Sequence, residues 1–140
     1  MASFQFWRKW LFVVAIALMF MGLAMVGLSL LPGILPGDPF IAAFWRGQAP
    51  PFEAARLYHW LIGVWGATIA GWGLVLAFLV QVPVRRKEKW AWQCLLSAVL
   101  VWYPLDTFLS LHFGVVANAI LNTVILGLIL SPLALTRRAF

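Results

Sequence analysis

The chain has 140 residues, of which 64% are hydrophobic and only 10% charged, against about 25% charged in an ordinary soluble domain. So little polar surface excludes a water-soluble globule and points to an integral membrane protein with room for four spans of about 20 residues each. The net charge of +6 lies in short clusters at the ends of apolar runs, which excludes a nucleic-acid-binding domain and suits contact with membrane lipids.

Arg8 and Lys9 stand among aromatic residues and precede an apolar run. A signal peptide also starts on a basic patch, but its apolar core is only about 7–15 residues long. This run is of spanning length, so a retained first span is expected at about 10–31. Two Pro-Gly pairs, at 32–33 and 36–37, then favour turns, because Pro presets φ and Gly accepts φ > 0. Asp38 followed by Pro39 has the pattern of an N-cap with proline at the first helical position. A short interfacial helix is expected over 40–46, ending at Gly47 and the prolines at 50 and 51. The alternative for this segment is an irregular loop folded over the bundle.

The second span is expected at about 57–82, with its deep part at about 60–79. Gly63, Ala67 and Gly71 repeat every fourth residue and share one helix face, and Gly66 and Gly73 add smaller steps nearby. Small residues at that spacing let a second helix approach closely, within the chain or in self-association. Gly22 and Gly27 of the first span are the expected matching positions. Trp65, Trp72 and Trp102 fall inside the spans. They are expected as bulky packing opposite the glycine face, or else as the lining of a pocket for a lipid, carotenoid or quinone tail.

Arg85, Arg86, Lys87, Glu88 and Lys89 mark a loop that begins at Pro83. The third span is expected at about 90–111 and the fourth at about 115–135, with Arg137 and Arg138 after it. Four spans place all three basic clusters on one side. The positive-inside rule then puts both termini in the cytoplasm, in a membrane of bacterial inner type. The single cysteine, Cys94, excludes an intrachain disulfide and is expected as a small buried hydrophobe. The fold class is therefore all-α: one domain of four antiparallel transmembrane helices, with a possible short interfacial helix between the first two.

One stretch departs from this apolar pattern. Between the last two runs stand Asp106, Ser110, Asn118 and Asn122. With a hairpin turn near Phe113 and Gly114, Asp106 lies level with Asn122, about 10 Å below the turn at 1.5 Å per residue. Asp106 and Ser110 are four apart, as are Asn118 and Asn122, so each pair shares a helix face. An acid within a span costs about 2.5–3.5 kcal/mol on insertion scales and faces the bundle interior or water. Such an acid is either neutral or paired with a cation, and Arg56 and His59, entering from the same side on the second span, are the nearest candidates for that cation. Pro104 removes a backbone donor from the carbonyl of Leu100 and is expected to kink the third span.

Two roles fit this stretch: a hydrogen-bonded seam that fixes helix pairing, and a small site open to the outer side. His59 and His112, the only histidines, are weak candidates for ligating a tetrapyrrole. No spacing supports a metal site, and no catalytic constellation is present. Three function classes follow. The first is a non-catalytic accessory subunit or assembly factor, whose partners are other membrane subunits or a second copy. The second is a small transporter, channel or carrier built around Asp106. The third is a pigment-binding or enzymatic membrane protein using His59 or His112.

Overall fold

A computed structural model of the chain describes residues 2–31, 38–46 and 48–140. Among these the protein is all-helical: α1 (Ala2–Ser29), α2 (Pro39–Trp45), α3 (Phe52–Leu79), α4 (Lys89–His112) and α5 (Val116–Thr136). The four long helices are of length and composition to cross a membrane. The turns expected at 32–37 and at Gly47 lie outside the described residues.

Several helix boundaries have a local cause. No proline interrupts 2–31, so α1 runs unbroken. Asp38 caps α2: its Oδ1 accepts from the backbone N–H of Phe40 at 2.8 Å and of Ile41 at 3.2 Å, satisfying donors that a helix start leaves open. Its Oδ2 accepts from the Tyr58 hydroxyl at 2.6 Å, which ties α2 to the start of α3. α2 also reaches α5. Between α4 and α5 the reversal is a Schellman turn. Gly114 adopts φ 74°, Val115 N–H donates to Ser110 O at 2.8 Å, and Gly114 N–H donates to Leu111 O at 3.1 Å. Glycine meets the left-handed conformation without a Cβ penalty.

Helical structure continues past the expected limit of the second span. A π-helical turn, Val80–Val84, carries the chain through Pro83. Proline has no N–H, so the ordinary ladder fails there, and a wider ladder takes over. Its last bond runs from Glu88 N–H to Pro83 O at 3.0 Å. The loop therefore shrinks to a tight turn with Lys87 at φ 59°.

The helices stand in the order α3, α1, α5, α4, each against the next, and α3 is not packed along α4. At the end carrying both termini the π-turn closes against α1 and α4. Leu11, Val80, Val84, Ala91, Leu95, Val99, Ile129 and Leu133 form one buried cluster there, with contributions from all four spans. Towards the opposite end contact is pairwise, α1 with α3 and α4 with α5. Large side chains such as Phe20, Val75, Phe78, Leu105 and Phe108 are exposed, as suits a surface solvated by lipid.

The α1–α3 contact corrects the expected glycine register. A Cβ built on Gly66 would lie 2.6 Å from Gly22 O, and one on Gly73 would lie 2.7 Å from Met19 Cα. Gly22 meets the backbone of Gly66 and Ala70. The working face is thus Gly66, Ala70, Gly73 and Ala77, all buried. Gly63 stands at its edge, beside the Ser29 hydroxyl. Ala67 is exposed, and among the described residues Gly27 and Gly71 have nothing within 4 Å of an added Cβ. Two small-residue faces coexist on α3, about one residue step of 100° apart, and α1 occupies the one with glycines at i and i+7.

Two further expectations change. Cys94 is exposed, because α4 packs on α5 through the face bearing Leu95 and Val99. Trp65 and Trp72 are exposed at 49% and 58%, since α1 covers the other side of α3.

Candidate functional site: the polar seam of the last two helices

The Schellman turn sets the register of α4 against α5 and brings four polar side chains together. Asp106 Oδ1 accepts from Asn118 Nδ2 at 2.8 Å and from Asn122 Nδ2 at 2.9 Å. Ser110 Oγ stands 3.2 Å from the same oxygen and donates to the Asp106 backbone carbonyl at 2.7 Å. Asn118 spends a second amide proton on Ser110 Oγ at 2.7 Å. Asn122 also approaches Thr107 Oγ1, at 3.5 Å. Ser110 and Asn122 are buried and Asp106 is half-buried.

Trp102 completes the shell. Its indole N–H donates to Asp106 Oδ2 at 3.1 Å, one helical turn away on the same face. The i,i+4 spacing of Trp102 and Asp106 is the signal that would have assigned it. On the other flank of the seam, the hydroxyls of Tyr103 and Thr123 are 3.3 Å apart across the two helices. The carboxylate therefore receives neutral donors from both helices. No buried side-chain nitrogen or oxygen among the described residues lacks a partner.

The cation expected beside Asp106 is not supplied by α3. Arg56 stands 3.6 Å from Glu53 and is largely exposed, with its guanidinium over the Phe52 ring. His59 lies edge-on to Tyr58, with ring centroids 6.3 Å apart. The reason is the helix order: α3 belongs to the pair built on α1, and the seam belongs to the pair built on α5. His112 stacks on Phe108 and meets Phe113 at the end of α4. Each histidine thus has its own aromatic surroundings. Among the described residues no three His, Cys, Asp or Glu side chains gather as a metal-binding group.

Pro104 lies inside α4, which continues through it as one helix. Pro132 in α5 has a clearer consequence. It leaves the carbonyl of Leu128 without its helical donor. The indole N–H of Trp10, from α1, donates to Leu128 O at 3.1 Å. One turn on, the Thr136 hydroxyl donates to Pro132 O at 2.6 Å, and the Trp92 indole donates to Leu133 O at 2.9 Å. Proline-freed and terminal carbonyls in α5 are thus answered by side chains, as a low-dielectric surround requires.

Chemically, the seam is a clasp. Interhelical hydrogen bonds of this kind contribute about 0.6 kcal/mol each in a membrane. Removing one partner costs more, because a buried group is left without its bond, at about 1–3 kcal/mol. Comparison with protein-family profiles, with curated protein sequences and with solved structures gave no match.

Proposed function

We propose that this chain is a non-catalytic accessory subunit or assembly factor of a larger membrane complex, with both termini in the cytoplasm of a bacterial-type cell. The observation that carries the reading is the second small-residue face of α3. Ala67 is exposed and Gly71 opens onto empty space, with Trp65 and Trp72 exposed beside them. Glycine is about 1 kcal/mol poorer than alanine within a helix. Its compensation in a membrane is the close approach of another helix, and at Gly71 no helix among the described residues takes it up. The seam supports a structural role, because its donors and acceptors are spent on one another. The cytoplasmic assignment rests on the basic clusters and the positive-inside rule.

The test is purification in mild detergent from the cells that express the chain. A stoichiometric membrane partner, or a second copy, is expected, and Gly71→Leu is expected to release it while helix content and melting stay unchanged. A lone monodisperse chain, or a partner retained by Gly71→Leu, rejects the proposal. The carrier reading draws on one feature, the half-buried Asp106 whose Oδ2 accepts only from Trp102 among the described residues. Loss of solute flux in Asp106→Asn, at normal expression, would favour it over the subunit reading.

A further inference from the structure

We infer that the end of the bundle carrying both termini is a binding surface for anionic glycerophospholipids, whose phosphates are held by cations drawn from three separate segments. Eight of the ten Lys and Arg residues, and only one of the four acids, belong to this end. They are the Arg8–Lys9 pair, the cations within 85–89, and the Arg137–Arg138 pair. The fold brings these segments together. Arg8 donates to Gln81 Oε1 at 2.8 Å. The Lys87 ammonium stands 5.3 Å from the centre of the Phe4 ring, and that ring meets Phe140 edge-on at 5.8 Å.

Three features make this surface more than a scatter of charge. The turn that carries Arg85, Arg86 and Lys87 is preordered: Lys87 N–H donates to Val84 O at 2.9 Å, and Glu88 N–H closes on Pro83. Little chain entropy is then lost when a ligand binds. The single acid leaves most of the charge uncompensated. Glu88 accepts from the Trp90 indole and stands 4.0 Å from Arg86, and no other salt bridge forms at this end among the described residues. Finally, Trp10 and Trp90 are exposed at the same end. Trp beside a basic cluster at a helix end is typical of the headgroup level of a membrane, which places these cations at the depth of lipid phosphates. The opposite end, with Arg46 and Arg56 against Asp38 and Glu53, is balanced. The inference stands whether or not a protein covers α3.

The experiment equilibrates the purified chain with mixed micelles of phosphatidylcholine and phosphatidylglycerol and counts retained lipids by native mass spectrometry. Phosphatidylglycerol is expected to be preferred, and the preference to fall as salt rises. Arg85→Gln, Arg86→Gln and Lys87→Gln together are expected to reduce it by about fivefold per charge removed. Arg46→Gln with Arg56→Gln is expected to leave it unchanged. Should the triple variant fail to fold, Lys89→Gln and Arg138→Gln, measured singly, each read one such step. Equal retention of the two lipids, or full preference in the charge-removed variants, overturns the inference. Sodium phosphate and sodium chloride at matched ionic strength should displace the lipid equally. Stronger displacement by phosphate would make free phosphate the ligand and overturn the lipid assignment.

Discussion

The two helix pairs of this protein solve the same problem by different means. In a membrane the hydrophobic effect does not drive helices together, because lipid chains are as apolar as the side chains they would replace. The α1–α3 pair answers by proximity: Gly22, Gly66 and Gly73 bring backbone against backbone and gain dispersion contacts along the interface. The α4–α5 pair answers by polarity, with Asp106 and Ser110 bonded across the seam to Asn118 and Asn122. The first device tolerates no added volume. The second tolerates volume better than it tolerates the loss of one partner. The pairs should therefore fail under opposite kinds of substitution.

The largest effect is expected for Gly66→Leu. The new side chain would meet the backbone of α1, with Gly22 O 2.6 Å from its Cβ, and a backbone cannot move aside as a side chain can. Overpacking typically costs about 1–3 kcal/mol, and a leucine here should lie at or above the top of that range. Thermal melting in detergent should show it, alongside an unaltered Gly71→Ala control on the open face. Near-equal melting of the two variants would break the assignment of the two faces.

A smaller loss is expected for Asn122→Leu, which fills the seam but removes a donor from Asp106. The cost should be about 1–3 kcal/mol. Combining it with Asp106→Leu should cost less than the sum of the single changes, because the second change removes the group left unpaired by the first. Additive losses in that double-mutant cycle would show that the two side chains act independently.

The smallest effect is expected for Trp10→Phe, which keeps the aromatic bulk and deletes only the bond to Leu128 O. About 0.6 kcal/mol is at stake. Restoring the backbone donor with Pro132→Ala should cancel that sensitivity, since the carbonyl then has its own helical partner. If Trp10→Phe costs the same in both backgrounds, the indole is not answering the proline.

Much of the candidate site was visible in the linear chain, for local reasons. The distance of Asp106 and Asn122 from the turn, and the i,i+4 spacing within each helix, follow from helix geometry once Gly114 marks the reversal. Other features depended on choices that spacing leaves open. Gly63, Ala67 and Gly71 share one face of a helix, as do Gly66, Ala70 and Gly73, and helical periodicity alone does not say which face meets α1. Arg56 and His59 enter from the same end as the seam, yet helix order carries them away from it. Trp10 and Leu128 are 118 residues apart in sequence, so their bond has no local trace beyond the proline that creates the need.

The sequence by itself determined the membrane class, the four long helices, the Asp38 cap, and the polar stripes of α4 and α5. These depend on composition, on capping chemistry and on a 3.6-residue period, all of which act over a few residues. Only the tertiary structure decided that α1 takes the Gly66–Gly73 face and leaves Ala67 and Gly71 open, and that the seam closes with Trp102 in place of a cation from α3. Those outcomes are set by which helices lie side by side. In an apolar solvent that order follows from backbone approach and polar satisfaction summed over whole helices, which no short stretch of the chain contains.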